Sequence, residues 1–370
     1  MFKRFLDISL IAGILLGSGC VVLTLLGNPV NSGICLSCFL ENLAGAMQLH
    51  GHVRMSYLRP ELIGFILGSF VMALYSKRFR VTGGSSPVIR FFLGLFIIVG
   101  CSVFIGCPIK MIQRLASGDL TAVAALLGLV FGVWLGVRYI RAGVHLDRDR
   151  DLPRINGYVF PLFAILLLLF LFLRPSFIVF GQTGPAAMHA PVWASLAISF
   201  VIGIAAQRSG LCITGGLRNL FLVGETTLFK GVVAALFSAF VIAYLTGQFH
   251  LGLYGQPASH MEHGWTFLAM TLVGLASVII DGCPFRQIIK AGQGDVDAAI
   301  TCFGMLIGAA LVIGWSIRST SAGTTFAGRV AVLLGLMVCL AVVLFYRNPV
   351  KVPRRTRGQA RIKGAVGSSQ

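Results

Sequence analysis

Apolar residues run along this chain in stretches separated by short polar connections, and the length of those stretches decides the fold class. A helix rising 1.5 Å per residue needs about 20 predominantly apolar residues to cross a hydrocarbon core of about 30 Å. Stretches that meet this length fall near 6–27, 60–76, 88–106, 120–140, 157–173, 190–206, 228–246, 264–281, 297–316 and 327–346. The pattern predicts an all-α polytopic membrane protein with about ten transmembrane helices. The first stretch follows Met1-Phe2-Lys3-Arg4, as in a signal peptide. It lacks a convincing small-residue cleavage site and is long enough to span, so a retained helix is expected.

A charged break from Arg141 to Arg154, with the run Asp147-Arg148-Asp149-Arg150-Asp151, divides the chain before its fifth span. This gives a first half over 1–150, the remaining spans over 151–346 and a polar tail over 347–370. The two halves resemble each other. Gly106-Cys107-Pro108 through Gly118-Asp119 aligns without a gap on Gly282-Cys283-Pro284 through Gly294-Asp295, 176 positions later. Ser32-Gly33-Ile34-Cys35 aligns on Ser209-Gly210-Leu211-Cys212 at an offset of 177, and Asn42-Leu43 falls on Asn219-Leu220. An odd number of spans in each half, about five, turns the second copy upside down, which predicts two inverted repeats with a site near the midplane.

Composition narrows the function. The chain is 56% apolar and 11% charged, against roughly 25% charged in soluble domains, which excludes a soluble enzyme. The net charge of +18, from 30 Lys+Arg against 12 Asp+Glu, would suggest nucleic acid in a soluble protein. In this chain it reads as topology, with the lipid bilayer and not nucleic acid as partner. Arg347, Lys351, Arg354, Arg355, Arg357, Arg361 and Lys363 crowd the tail, whereas residues 175–191 and 247–264 carry no Lys or Arg. Both termini are therefore expected on the cytoplasmic side of the membrane. There is no GxxxxGK[ST] loop and no visible cofactor site, so a non-enzyme driven by a gradient or by consumption of its substrate is expected.

Each GCP follows an apolar span, and its Pro suits the first position of a helix with the Cys as cap. Such a helix, running about ten residues to Gly118 or Gly294, is about 15 Å long and crosses half a membrane. Together with the SGxC turns it predicts re-entrant half-helices. Irregular backbone at membrane depth must be buried in protein or line a water-filled cavity. Exposed N–H groups and positive helix ends attract anions there, and Lys110 with Arg114, and Arg286 with Lys290, add two cations at i and i+4. The alternative is that these four cations face water or headgroups.

Cys20, Cys101, Cys302 and Cys339 lie inside apolar spans and read as small hydrophobes. Cys35, Cys107, Cys212 and Cys283 are the ones the repeat pairs, each at a predicted helix break, where a soft S–H donor suits a ligand recognised through sulfur or selenium. Cys35-Leu36-Ser37-Cys38 also has the spacing of a dithiol or metal pair. Gly215 replaces Cys38 in the second copy, and no His or second CxxC completes a zinc set, so no metal is expected. Asp281 stands where the first half has Ile105 and is expected to carry a proton or to serve as a counter-ion. His50, His52, His250, His260 and His263 read as solvated.

These motifs resemble the YeeE/YedE family of bacterial inner-membrane transporters, closest to its YedE-like selenium branch. They are SGIC from Ser32, GCPIKMIQRLASGD from Gly106, SGLCITGGLRN from Ser209 and GCPFRQIIKAGQGD from Gly282. The resemblance implies import of a small selenium or sulfur anion, with Cys35, Cys107, Cys212 and Cys283 at the positions of the family's relay cysteines. The basic residue two positions after each CP departs from the thiosulfate members and leaves the ligand open between thiosulfate, selenite and a reduced selenium compound. Two other readings are a membrane thiol-redox protein built on Cys35 and Cys38, and an accessory subunit whose basic tail docks a cytosolic sulfur or selenium acceptor.

Overall fold

The computed structural model describes residues 2–346 except 145 and 147–149, and the side chains of residues 2–7 lie outside it. The basic tail over 347–370 and most of the Asp/Arg run fall outside the described residues. Among those described, ten segments are long and apolar enough to cross a membrane, and the long helix in each agrees with a predicted stretch to within a few residues.

The first half comprises α1 (Phe2–Leu25), α2 (Leu36–Ala46), α3 (Pro60–Tyr75), α4 (Pro87–Phe104), α5 (Pro108–Ala116) and α6 (Ala122–Arg141). A linking helix, α7 (Arg154–Leu173), leads into the second set: α8 (Val192–Ser209), α9 (Ile213–Val223), α10 (Thr227–Leu245), α11 (His263–Ile279), α12 (Pro284–Gly292) and α13 (Val296–Gly314). A last helix, α14 (Phe326–Phe345), packs on α4 and α11. Thr82–Gly83 and Arg150–Asp151 form a minimal antiparallel ladder that ties two connections together.

Helix for helix, α1–α6 correspond to α8–α13, and the packing follows that correspondence. α1 lies on α10 while its counterpart α8 lies on α3, and α4 lies on α13 while its counterpart α11 lies on α6. The halves therefore interlock, each supplying partners for the other. Small residues set the spacing, as expected where lipid removes the hydrophobic drive between helices. A Cβ on Gly13 would stand 2.0 Å from the carbonyl oxygen of Gly231 across the α1/α10 crossing. Gly13→Val should separate these helices at an overpacking cost of about 1–3 kcal/mol, read as earlier thermal aggregation in detergent; an unchanged melting profile would refute the close crossing.

Both halves break one long span at the same place. α4 ends at Ile105 (φ 63°) and α11 at Asp281 (φ 64°), each in the left-handed region, where a non-glycine side chain costs of order 1–3 kcal/mol. Gly106 and Gly282 follow, then Cys107 and Cys283 as N-caps with Pro108 and Pro284 at the first helical position. The resulting half-helices have nine residues each, about 14 Å long. Gly118 (φ 88°) and Gly294 (φ 104°) follow their C-terminal ends, as the sequence predicts.

Candidate functional site

The SGxC segments are more than the turns their sequence predicts, since each starts an eleven-residue half-helix. Cys35 and Cys212 are the N-caps of α2 and α9. A thiol takes the place of the usual cap hydroxyl: Cys35 Sγ accepts the Cys38 N–H at 3.4 Å and Cys212 Sγ accepts the Gly215 N–H at 3.2 Å. A hydroxyl two residues on, Ser37 or Thr214, lies 3.4 Å from each sulfur.

Each SGxC cap meets the GCP cap of its own half. Leu36 N–H donates to Cys107 Sγ at 3.3 Å. In the second half Cys283 N–H donates to Cys212 Sγ at 3.5 Å, with the two sulfurs 3.6 Å apart. α5 touches α9 and α12 touches α2, so the four half-helices converge in the interior. Gly33 makes the first junction: its Cβ would fall 1.8 Å from Cys20 O of α1, and its N–H donates to Gln113 Oε1 of α5 at 3.0 Å.

The four cations divide into two kinds. Arg114, expected to attract an anion, is corrected by the structure: its guanidinium, 2% exposed, is 2.6 Å from Asp119, donates to Thr121 and stacks on Phe104. Its charge is spent on holding the turn after α5. Lys290, at the equivalent position, is shared between Asp281 at 3.0 Å and Asp295 at 3.4 Å. Lys110 and Arg286, one turn earlier, have no carboxylate within ion-pair distance among the described residues. Lys110 is 2% exposed yet makes no hydrogen bond there, and Arg286 donates only to Ala206 O, at 3.4 Å.

The halves differ at their mouths. In the second, a cavity of about 500 Å³ reaches Cys212, walled by Thr214, Arg218, Asp281, Arg286 and Lys290. Asp281 pairs with Arg218 as well as Lys290, which places it as a counter-ion. The Ser277 hydroxyl, also on the wall, has no hydrogen-bond partner. In the first half, Glu41 occupies the position of Arg218, accepts from Ser102 at 2.8 Å and pairs with Arg318 at 3.2 Å. Arg318 comes from the connection between α13 and α14 and lies across this end. Glu41, Arg218 and Gln113 are not among the candidates the sequence offers, although the first two stand beside the paired Asn42 and Asn219; nothing local marks Arg318.

Cys20, Cys101, Cys302 and Cys339 are buried. His50 and His260 are not solvated: both are buried, bonded to Glu41 O at 2.9 Å and Val103 O at 2.8 Å. Among the described residues no group of three or more His, Cys, Asp or Glu side chains is disposed to hold a metal.

Residues 208–366, beginning at the second SGxC and passing through the second GCP, match the family described as sulphur transport. Over this stretch, a little under half of the chain, the protein is similar to the sulphur-transport family to which its motifs pointed. Among its relatives, the thiosulfate transporter TsuA of Escherichia coli (strain K12) is 24% identical over 125 residues, 34% of this chain and 35% of that protein. The thiosulfate transporter TsuA of Spirochaeta thermophila is 25% identical over 103 residues, 28% of this chain and 31% of its own. The chain thus aligns with about a third of the length of each curated relative. The family match covers the half that carries the cavity, and the internal repeat extends the same motifs to the other half.

Proposed function

We propose that this protein is an inner-membrane transporter that imports a small sulfur or selenium anion, such as thiosulfate or selenite, past Cys35, Cys107, Cys212 and Cys283. One observation carries the reading: in each half a thiol-capped pair of helix breaks is accompanied by a cation, Lys110 or Arg286, with no carboxylate within ion-pair distance among the described residues. Oxyanion oxygens would take backbone N–H groups and the cation, while soft terminal sulfur or selenium would meet the polarizable thiols. Arg114, Lys290 and Asp281 belong to the supporting ion pairs. The two halves are inverted repeats in this reading, with both termini cytoplasmic and the 500 Å³ cavity opening inward. A cytosolic acceptor docked by the basic tail from Arg347 would take the product.

The direct test is uptake of labelled thiosulfate and labelled selenite into proteoliposomes. Cysteine-dependent uptake of one identifies the chalcogen, and absence of both overturns the reading for these two anions. Orientation has its own check. An impermeant anionic thiol reagent should label Cys212 at least tenfold faster in inside-out than in right-side-out vesicles, with Cys107 reached from outside and Cys283 from inside; the reverse preference at Cys212 would invert the topology.

A further inference from the structure

We infer that Cys35 and Cys38 form a reversible disulfide, making the start of α2 a redox-modification site that removes Cys35 from the anion path. The proposal rests on the transport reading for its consequence, and on the geometry of α2 for its chemistry. The two Sγ atoms are 2.6 Å apart, inside sulfur–sulfur contact distance and close to the roughly 2.05 Å of a disulfide. Closing the bond brings the two sulfurs about half an ångström closer. The second half supplies the internal control, because α9 starts on the same thiol cap but has Gly215 where α2 has Cys38. A Cβ on Gly215 would stand 3.3 Å from Cys212 Sγ, so the fold places position i+3 against the cap sulfur in both halves. Only the first half puts a second thiol there.

Access favours the same pair. Cys35 is fully buried, whereas Cys38 is part-exposed and within 3.9 Å of the Ser32 hydroxyl. A small disulfide oxidant, RSSR, would meet Cys38 first. Cys38 thiolate attacks one sulfur and expels RS⁻; Cys35 then attacks the Cys38 sulfur of the mixed disulfide and expels the second RS⁻. Two thiols lose two electrons and two protons, and RSSR becomes two RSH. In the proposed topology this end faces the outside of the membrane, where disulfide oxidants prevail. Once bonded, Cys35 has no S–H to offer an anion.

The test uses the full chain, purified in detergent and reconstituted in proteoliposomes, with oxidised glutathione as oxidant and dithiothreitol to reverse it. Peptide mapping should recover a Cys35–Cys38 link in the oxidised wild type, absent from Cys38→Ala. Thiosulfate or selenite uptake should fall at least tenfold on oxidation and return with dithiothreitol. Cys38→Ala, outside the proposed anion path, should transport within twofold of wild type under both conditions. A link between Cys212 and Cys283 in place of Cys35–Cys38, no link at all, or a Cys35–Cys38-linked protein with undiminished uptake would each overturn the inference. If the reduced wild type transports neither anion, the functional reading fails, and the mapping still decides whether the dithiol closes.

Discussion

Cys107→Ala and Cys283→Ala are expected to lower anion uptake by about 10–100-fold each, the effect of losing one hydrogen bond to a charged group worth about 1.5–3 kcal/mol. Both thiols sit at the start of a half-helix, buried and in contact with the SGxC cap of their own half. Alanine leaves the anion beside a cation with no soft donor. Serine keeps a donor, so Cys107→Ser and Cys283→Ser should recover to within about threefold of wild type if the thiols act by hydrogen bonding. Recovery no better than with alanine would instead assign them a covalent role. Cys339→Ala, in the packed part of α14, should transport normally; a loss there as large as at Cys107 would remove the distinction between the paired and unpaired cysteines. The readout is initial uptake rate per reconstituted protein.

Arg114→Met is expected to destabilise the fold by about 3–5 kcal/mol, because it leaves the Asp119 carboxylate buried with its principal cation gone. That carboxylate is fully buried and lies 2.6 Å from the guanidinium. Arg114→Met with Asp119→Leu should recover most of the loss, since an apolar pair of similar volume replaces a buried ion pair with little penalty. Lys110→Met, one turn away, should behave oppositely. It removes a cation that has no carboxylate within ion-pair distance among the described residues, so thermal stability should hold or rise while anion uptake falls. Thermal denaturation in detergent, beside uptake, separates the two. Equal destabilisation by Arg114→Met and Lys110→Met would mean that Lys110 is a structural cation whose partner is not an incoming anion.

The same contrast shows where sequence reasoning reached its limit. Lys110 and Arg114 looked alike as two cations on one helix face, and the repeat reproduced both as Arg286 and Lys290. What separates them is the direction of each side chain: Arg114 turns back to Asp119 five residues later, and Lys290 does likewise with Asp295. Asp119 and Asp295 were inside the recognised motif, so a counter-ion was available to be read; that it pairs with the later cation and not the earlier depends on helix geometry after a glycine turn. His50 and His260 show a related limit: they stand in polar connections, yet those connections fold back so that the imidazoles bond to the Glu41 and Val103 carbonyl oxygens of α2 and α4.

The number and position of the spans, the half-helices after GCP, the twofold repeat and the cysteines it pairs were determined by the sequence alone. Each follows from a local or periodic constraint: a bilayer demands a fixed apolar length, proline and glycine punctuate helices at set offsets, and a repeat repeats its motifs. Tertiary structure alone decided how the halves interlock, which cations find a carboxylate partner across the fold, and that one mouth opens into a cavity while Arg318 pairs with Glu41 at the other. Those outcomes depend on groups distant in the chain, such as Glu41 and Arg318, meeting at one point. No local pattern encodes such a meeting, because it is fixed by the packing of every helix between them.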